Sequence, residues 1–254
     1  MIQHEIHPPD YKGSLVFRSA IEHIRGSFIA SSTPSREGFI EAILKDLIRR
    51  KLIKEFQHVG GGRRHDFTVA VGESSDYFVA LEVKGGEGNS INISDRPLFA
   101  DEFCIWSHLD GAIVNQPARG ATAIVCRVTN ALVRYEKQVD AIYFRDALCG
   151  TAARPCPKYR DTPIDISPAP DIFLMPRRVP TVEDPSPPIH TLDTLRFPRL
   201  LLRAFGVAEE DYEEHVWQVH VSIEPLADMR LRRVVQVKHK DEIVSESKSR
   251  SWNR

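Results

Sequence analysis

Residues 63–88 read Arg63-Arg-His-Asp66-Phe-Thr-Val-Ala-Val-Gly72-Glu-Ser-Ser-Asp76-Tyr-Phe-Val-Ala-Leu-Glu82-Val-Lys84-Gly-Gly-Glu-Gly88. From His65 to Val71 and again from Tyr77 to Val83 the residues are mostly β-branched or aromatic, whereas Gly72 to Asp76 is a run of turn formers. The pattern predicts a hairpin. A turn centred near Ser74 pairs residues whose numbers sum to about 148, which sets Asp66 opposite Glu82 with Cβ atoms ~5 Å apart. Lys84 falls on the same face, because residues two apart in a strand point the same way. The other face carries Phe67, Val69, Val71, Val79, Leu81 and Val83, an apolar surface that needs helices over it.

Two carboxylates this close repel unless a cation lies between them, and hard oxygen ligands suit Mg²⁺, with Mn²⁺ able to substitute. A lysine beside such a metal can orient or deprotonate water, or stabilise charge on a phosphate. Asp66, fifteen intervening residues, then Glu82-Val-Lys84 resembles the signature of the PD-(D/E)xK nuclease superfamily, and the Gly85-Gly86 pair after the lysine is also seen there. The plain alternative is a hairpin with a solvated charged face. A second match, Asp228 with Glu246-Ser-Lys248, lies in a polar tail with no apolar face to anchor it.

Composition sets outer limits. The 254 residues are 42% hydrophobic and 27% charged, with a formal net charge of -1, so no global field draws the chain to nucleic acid. Charge is segregated instead: residues 36–64 and 227–254 each carry eight Lys/Arg against four Asp/Glu, and 205–224 carry six acidic residues and no Lys or Arg. The N-terminus has no basic and apolar leader, and no run approaches the length that spans a bilayer, which leads us to expect a cytoplasmic protein without membrane contact. The four cysteines are scattered as in a reduced protein, although Cys149 and Cys156 could form half a zinc site.

Along the chain, Leu15–Ile29 has helical spacing. Ser35 is an expected N-cap for a helix from Arg36 to about Lys54, with Phe39, Ile40, Ile43, Leu44, Leu47 and Ile48 inward. Glu55–Val59 reads as a short strand. Beyond Lys84 a polar loop reaches Arg96, and Phe99–Val114 is mixed and apolar, with Trp106 as a core anchor. Arg119–Gln138 is an expected amphipathic helix that buries Ile124, Val125, Val128, Leu132 and Tyr135, followed by a strand over Val139–Phe144. Ten prolines between Thr151 and Pro188 exclude long helices there. Asp171-Ile-Phe-Leu-Met suits a strand, His190–Phe205 a helix broken or kinked at Pro198 and capped by Gly206, Trp217–Ile223 a strand, and Arg232–Glu246 a final hairpin.

The expected class is therefore α/β (α+β): a restriction-endonuclease-like core, a mixed central sheet flanked by helices in the order αβββαβ, with a Pro-rich, β-containing C-terminal addition. The divisions are 1–34, an N-terminal helical arm; 35–150, the nuclease-like core; and 151–254, an accessory region for DNA recognition or dimerisation. The resemblance implies a Mg²⁺-dependent endonuclease acting on double-stranded DNA as a homodimer, most like a type II restriction enzyme, with Asp66 and Glu82 as metal ligands and Lys84 beside the attacking water. It also implies a further carboxylate from the preceding helix, for which Glu41 is preferred over Glu37. Arg63, Arg64, Asn89, Asn92, Arg96, Arg230, Arg232 and Arg233 are the expected DNA contacts. A structure-specific repair or junction nuclease, and a DNA-binding module that has lost hydrolysis, are the competing readings.

Overall fold

The hairpin forms in the expected register. In the computed structural model, which describes residues 33–59, 64–72, 76–84, 93–107, 121–145 and 169–253, β2 (Phe67–Ala70) pairs antiparallel with β3 (Phe78–Lys84) through Phe67↔Leu81, Thr68↔Ala80 and Val69↔Val79. Each of these pairs sums to 148. The turn opens at Gly72, whose φ of 88° lies where side chains are strained. The Leu15–Ile29 helix, Arg63, Asn89, Asn92, Cys149 and Cys156 lie outside the described residues.

One apolar face of the hairpin is roofed by α1 (Thr33–Arg49), which buries Ile40, Ile43, Leu44 and Leu47 against Phe67, Val69, Val71, Val79, Leu81 and Val83. Each such side chain supplies roughly 1.5–3 kcal/mol of burial free energy. Ser35 lies inside this helix, not ahead of it, and Ile48, expected inward, is exposed. The helix also stops five residues earlier than its apolar spacing suggests. Lys51 takes φ 58°, its N–H donates to Ile48 O, and Leu52 N–H donates to Leu47 O. This is a left-handed C-terminal cap built without glycine.

Strands β1 (Glu55–His58), β4 (Glu102–Ser107), β5 (Ala141–Arg145), β6 (Asp171–Leu174), β7 (Val216–Pro225) and β8 (Arg230–His239) complete a sheet ordered β1-β2-β3-β4-β5-β6-β7-β8, with β9 (Glu242–Lys248) and β10 (Trp252–Asn253) both paired to β8. The β3–β4, β4–β5 and β6–β7 pairs are parallel and the others antiparallel, so the sheet is mixed. Helix α2 (Ala121–Arg134) covers the second face. Its Ile124, Val125, Val128, Leu132 and Val133 share a core with Ala80, Phe103, Ile105, Tyr143, Val219, Val235 and Val237. Tyr135, expected in that stripe, lies just past the helix and is exposed. Strands β6 to β10, from the region expected to be accessory, extend the same sheet.

The expected order αβββαβ lacks one element. Strand β4 is inserted between β3 and α2, giving αββββαβ over residues 33–145. All six of its residues are buried, so it shows none of the alternation that marks a one-sided strand. Trp106 is fully buried in it, as expected of a core anchor. Helix α3 (Arg196–Ala204) starts late enough to place Pro198 in its first turn, where a missing N–H costs nothing, and so the expected kink is absent. Gly206, with φ 78°, ends it through N–H bonds from Gly206 to Arg203 O and from Val207 to Leu202 O.

Leu195 precedes α3 without a side-chain cap. A distant residue fills that role: Glu102, 1% exposed at the start of β4, accepts from Arg196 N–H and Tyr77 Oη, both at 2.5 Å, and from Phe197 N–H at 3.4 Å. Burial pushes its carboxyl above the usual glutamate range, and these hydrogen bonds pull it partly back. The Arg196 guanidinium then covers the Tyr77 ring at 4.5 Å. Removing the acceptor strands buried donors on two elements, so Glu102→Ala should cost about 2–4 kcal/mol in urea unfolding. Glu102→Gln keeps one acceptor and should lose clearly less; an unchanged midpoint for the alanine variant would remove Glu102 as the tether.

Candidate functional site

Pleating decides which side chains can meet at the end of the hairpin. Phe67, Leu81 and Val83 face α1, so Glu82 and Lys84 face the other way, towards the α2 side. Glu82 is 6% exposed, and its Oε1 lies 2.5 Å from Lys84 Nζ, which is partly open to solvent. The regular ladder stops at Phe67↔Leu81. One step beyond, Asp66 N–H donates to Leu81 O, Val59 N–H donates to Asp66 O, and Val83 N–H donates to Asp66 Oδ2 at 2.6 Å. One Asp66 carboxylate oxygen thus closes the end of the β2–β3 ladder.

Burial pushes the Glu82 carboxyl above its ordinary value; the hydrogen bond and charge of Lys84 oppose this, Asp66 adds to it, and Lys137 opposes it more weakly. His65 is buried beside them, with Nε2 2.7 Å from Thr68 Oγ1 and its ring 5.5 Å from that of Phe99. It occupies the position where the resembled signature commonly has proline.

The register carries this polar end across the sheet. Lys84 pairs with Ser107, Ser107 with Arg145, and Arg145 with Asp171, one row over four strands at the carboxyl ends of the parallel β3, β4 and β5. Arg145 and Asp171 form an ion pair of 2.6 Å. Ser107 and Tyr143 are buried on neighbouring strands, two residues apart in register and on the same face of the sheet. Burial raises the Tyr143 phenol, which keeps it protonated. Ligands of open α/β sheets bind outside such carboxyl ends. Reading the sequence missed Ser107, Tyr143, Arg145 and Asp171, because the row exists only once β4 is recognised as a strand.

Several expected contributors lie elsewhere. Glu41 pairs with Lys45 at 2.8 Å on the partly exposed flank of α1, the helix that covers the opposite face of the hairpin, so it does not join Asp66 and Glu82. Glu37 reaches His58 Nε2 at 3.5 Å on that same side. Among the described residues no group of three or more His, Cys, Asp or Glu is placed to hold a metal ion. Arg64 is exposed on the lead into Asp66. Arg96, expected to read bases, instead pins the β3–β4 connection, pairing with Asp140 and donating to Ala100 O. Arg230 pairs with Asp228 and Arg232 with Glu224 at 2.9 Å, while Arg233 sits between α2 and Trp252.

Set against protein-family models, curated proteins and solved structures, the chain matches none of them. No helix among the described residues is long and apolar enough to cross a membrane.

The raised Glu82 carboxyl has a defined consequence for stability. A folded value above the ordinary 4.5 means that the folded state holds the proton more tightly, so this contribution is full below 4.5 and is lost as pH rises through the folded value. Compared with the uncharged Glu82→Gln, the wild type should lose stability across that window and then level off. Urea unfolding of both proteins between pH 4 and 8 measures it; a constant difference would mean that Glu82 is not desolvated.

Proposed function

We propose that the chain is a divalent-metal-dependent endonuclease that hydrolyses phosphodiester bonds of double-stranded DNA, most like a type II restriction endonuclease and acting as a homodimer. The observation that carries this reading is the hairpin register, which brings Asp66, Glu82 and Lys84 together at the carboxyl end of a mixed sheet. A helix-roofed sheet with this triad at its open end is what the PD-(D/E)xK resemblance requires, although β4 is an addition to the expected order.

The carboxylates suit a cation. Glu82 is buried with Lys84 as its close counter-charge, and Asp66 has Oδ2 committed to Val83 N–H, while Oδ1 accepts no hydrogen bond among the described residues. Hard oxygen donors of this kind favour Mg²⁺ or Mn²⁺. Asp66 and Glu82 would hold such a metal, and it would supply Lewis-acid polarisation of the scissile phosphate and a lowered water pKa. Lys84, released from Glu82, orients the attacking water and offsets charge on the phosphoryl oxygens. The water would give up a proton to solvent as its oxygen bonds to phosphorus, the P–O3′ bond would break, and the 3′-oxygen would take a proton from solvent, giving 5′-phosphate and 3′-hydroxyl ends. Arg145, held by Asp171, is placed in the same row to meet a flanking phosphate.

A second reading is DNA binding without hydrolysis. The direct Lys84–Glu82 pair favours it, as does the lack, among the described residues, of a third carboxylate beside them. Plasmid cleavage separates the two. With Mg²⁺ the wild type should nick and linearise supercoiled DNA. Lys84→Ala should lower the rate by about 10²–10⁴-fold, and Asp66→Asn and Glu82→Gln should do at least as much, with the circular dichroism spectrum unchanged. Glu41→Ala should leave the Mg²⁺ requirement as it is. Cleavage by Lys84→Ala at the wild-type rate would sink the site assignment, and retained duplex binding without any wild-type cleavage would favour the second reading.

A further inference from the structure

A cavity of about 680 Å³ opens between the outer side of α2 and the C-terminal segment, away from the side chains that α2 buries. Arg127, Asn130, Ala131 and Arg134 form one wall at helical spacing of three and four, so they share a stripe, with the small Ala131 as its floor. The facing wall is Arg233 on β8 together with residues 249–252. That tail is held in place: Arg233 N–H donates to Ser249 Oγ at 3.0 Å, Ser249 N–H donates to Arg233 O at 2.9 Å, and Trp252 pairs with Leu231.

Four arginines (127, 134, 233 and 250) therefore line one hollow, and among the described residues no carboxylate lines it. The Arg233 guanidinium lies 5.0 Å over the Trp252 ring, its Nη1 reaches Asn130 only at 3.5 Å, and its Nε is shielded from solvent with no partner among the described residues. Burial and the neighbouring Arg134 both lower its pKa, and Glu136 opposes them. Arg134 in turn lies 5.9 Å over the Tyr135 ring. Guanidinium forks match phosphate oxygens, and the Trp252 and Tyr135 rings offer planar faces on which a base can stack.

We propose that this cavity is a binding site for a nucleoside phosphate, either a free nucleotide or one unit of a single DNA strand. The site does not depend on hydrolysis at Asp66, Glu82 and Lys84. The pocket lies within the size range of small-ligand sites, and a bare inorganic anion would leave both aromatic rings unused.

The test uses the full chain in EDTA, with fluorescence anisotropy of a labelled, 5′-phosphorylated single-stranded oligonucleotide and competition by deoxyadenosine monophosphate, deoxyadenosine and inorganic phosphate. The wild type should bind the oligonucleotide, and affinity should fall with salt. Arg134→Ala and Arg250→Ala, both at exposed positions, should each weaken binding by about tenfold or more without changing Tm, and Trp252→Ala should weaken it as well. Competition by the monophosphate at concentrations like those of the oligonucleotide identifies a free nucleotide as the ligand; competition by unlabelled oligonucleotide alone identifies a strand. No binding, unaltered binding by both arginine variants, or equal competition by deoxyadenosine or by inorganic phosphate would overturn the proposal. Lys84→Ala should bind as the wild type does, so loss of the nuclease reading would leave this result intact.

Discussion

The alternation of side chains along β3 is the constraint on which the rest depends. Val79, Leu81 and Val83 must enter the core beneath α1, and that requirement alone turns Glu82 and Lys84 to the other side. A slip of one residue would put a carboxylate and an ammonium among the apolar side chains beneath α1 and turn Val79, Leu81 and Val83 away from that helix. The register is thus held by hydrophobic burial, and the polar end of the hairpin is its by-product. Because β3, β4 and β5 are parallel and in register, the same parity aligns Lys84, Ser107 and Arg145 in one row.

Buried carboxylates in this protein fall into two kinds. Glu102 and Asp46 are surrounded by donors: Glu102 by Tyr77 and the first N–H groups of α3, Asp46 by Arg49 and Arg50, the latter also donating to Ala204 O at the end of α3. They join elements far apart in the chain, and their chemistry is used up in doing so. Glu82 differs. It is as deeply buried as a structural carboxylate, yet its close partner is one lysine and its neighbour is a second carboxylate. Such an arrangement costs stability unless a ligand brings positive charge, which is the pattern expected of a functional site rather than of a core tether.

Much of this was legible in the sequence. The hairpin register followed from two β-rich runs around Gly72–Asp76, and α1, α2, β5, β6 and the last hairpin followed from periodicity. What stayed hidden has physical reasons. Strand β4 is covered on both faces, so it carries no period of two. The end of α1 relies on a left-handed Lys51, which no glycine announces. Tyr135 fits the apolar stripe of α2 but lies just past the point where the helix ends. Arg96 looked like a DNA reader because its loop is polar; its partner, Asp140, is 44 positions away in the chain and is brought near only by the fold. Glu41 was placed on the right helix, but the face of the sheet that this helix covers could not be read until the parity of β2 and β3 was combined with the packing of α1.

The central claim, that Asp66 and Glu82 jointly hold a divalent cation beside Lys84, is tested most directly by anomalous diffraction from crystals soaked in Mn²⁺. A single strong peak about 2.1 Å from Asp66 Oδ1 and from a Glu82 carboxylate oxygen, lost in Glu82→Gln crystals, is the predicted result. Density at saturating Mn²⁺ that leaves Lys84 Nζ still paired to Glu82, with no anomalous peak between the two carboxylates, would contradict it.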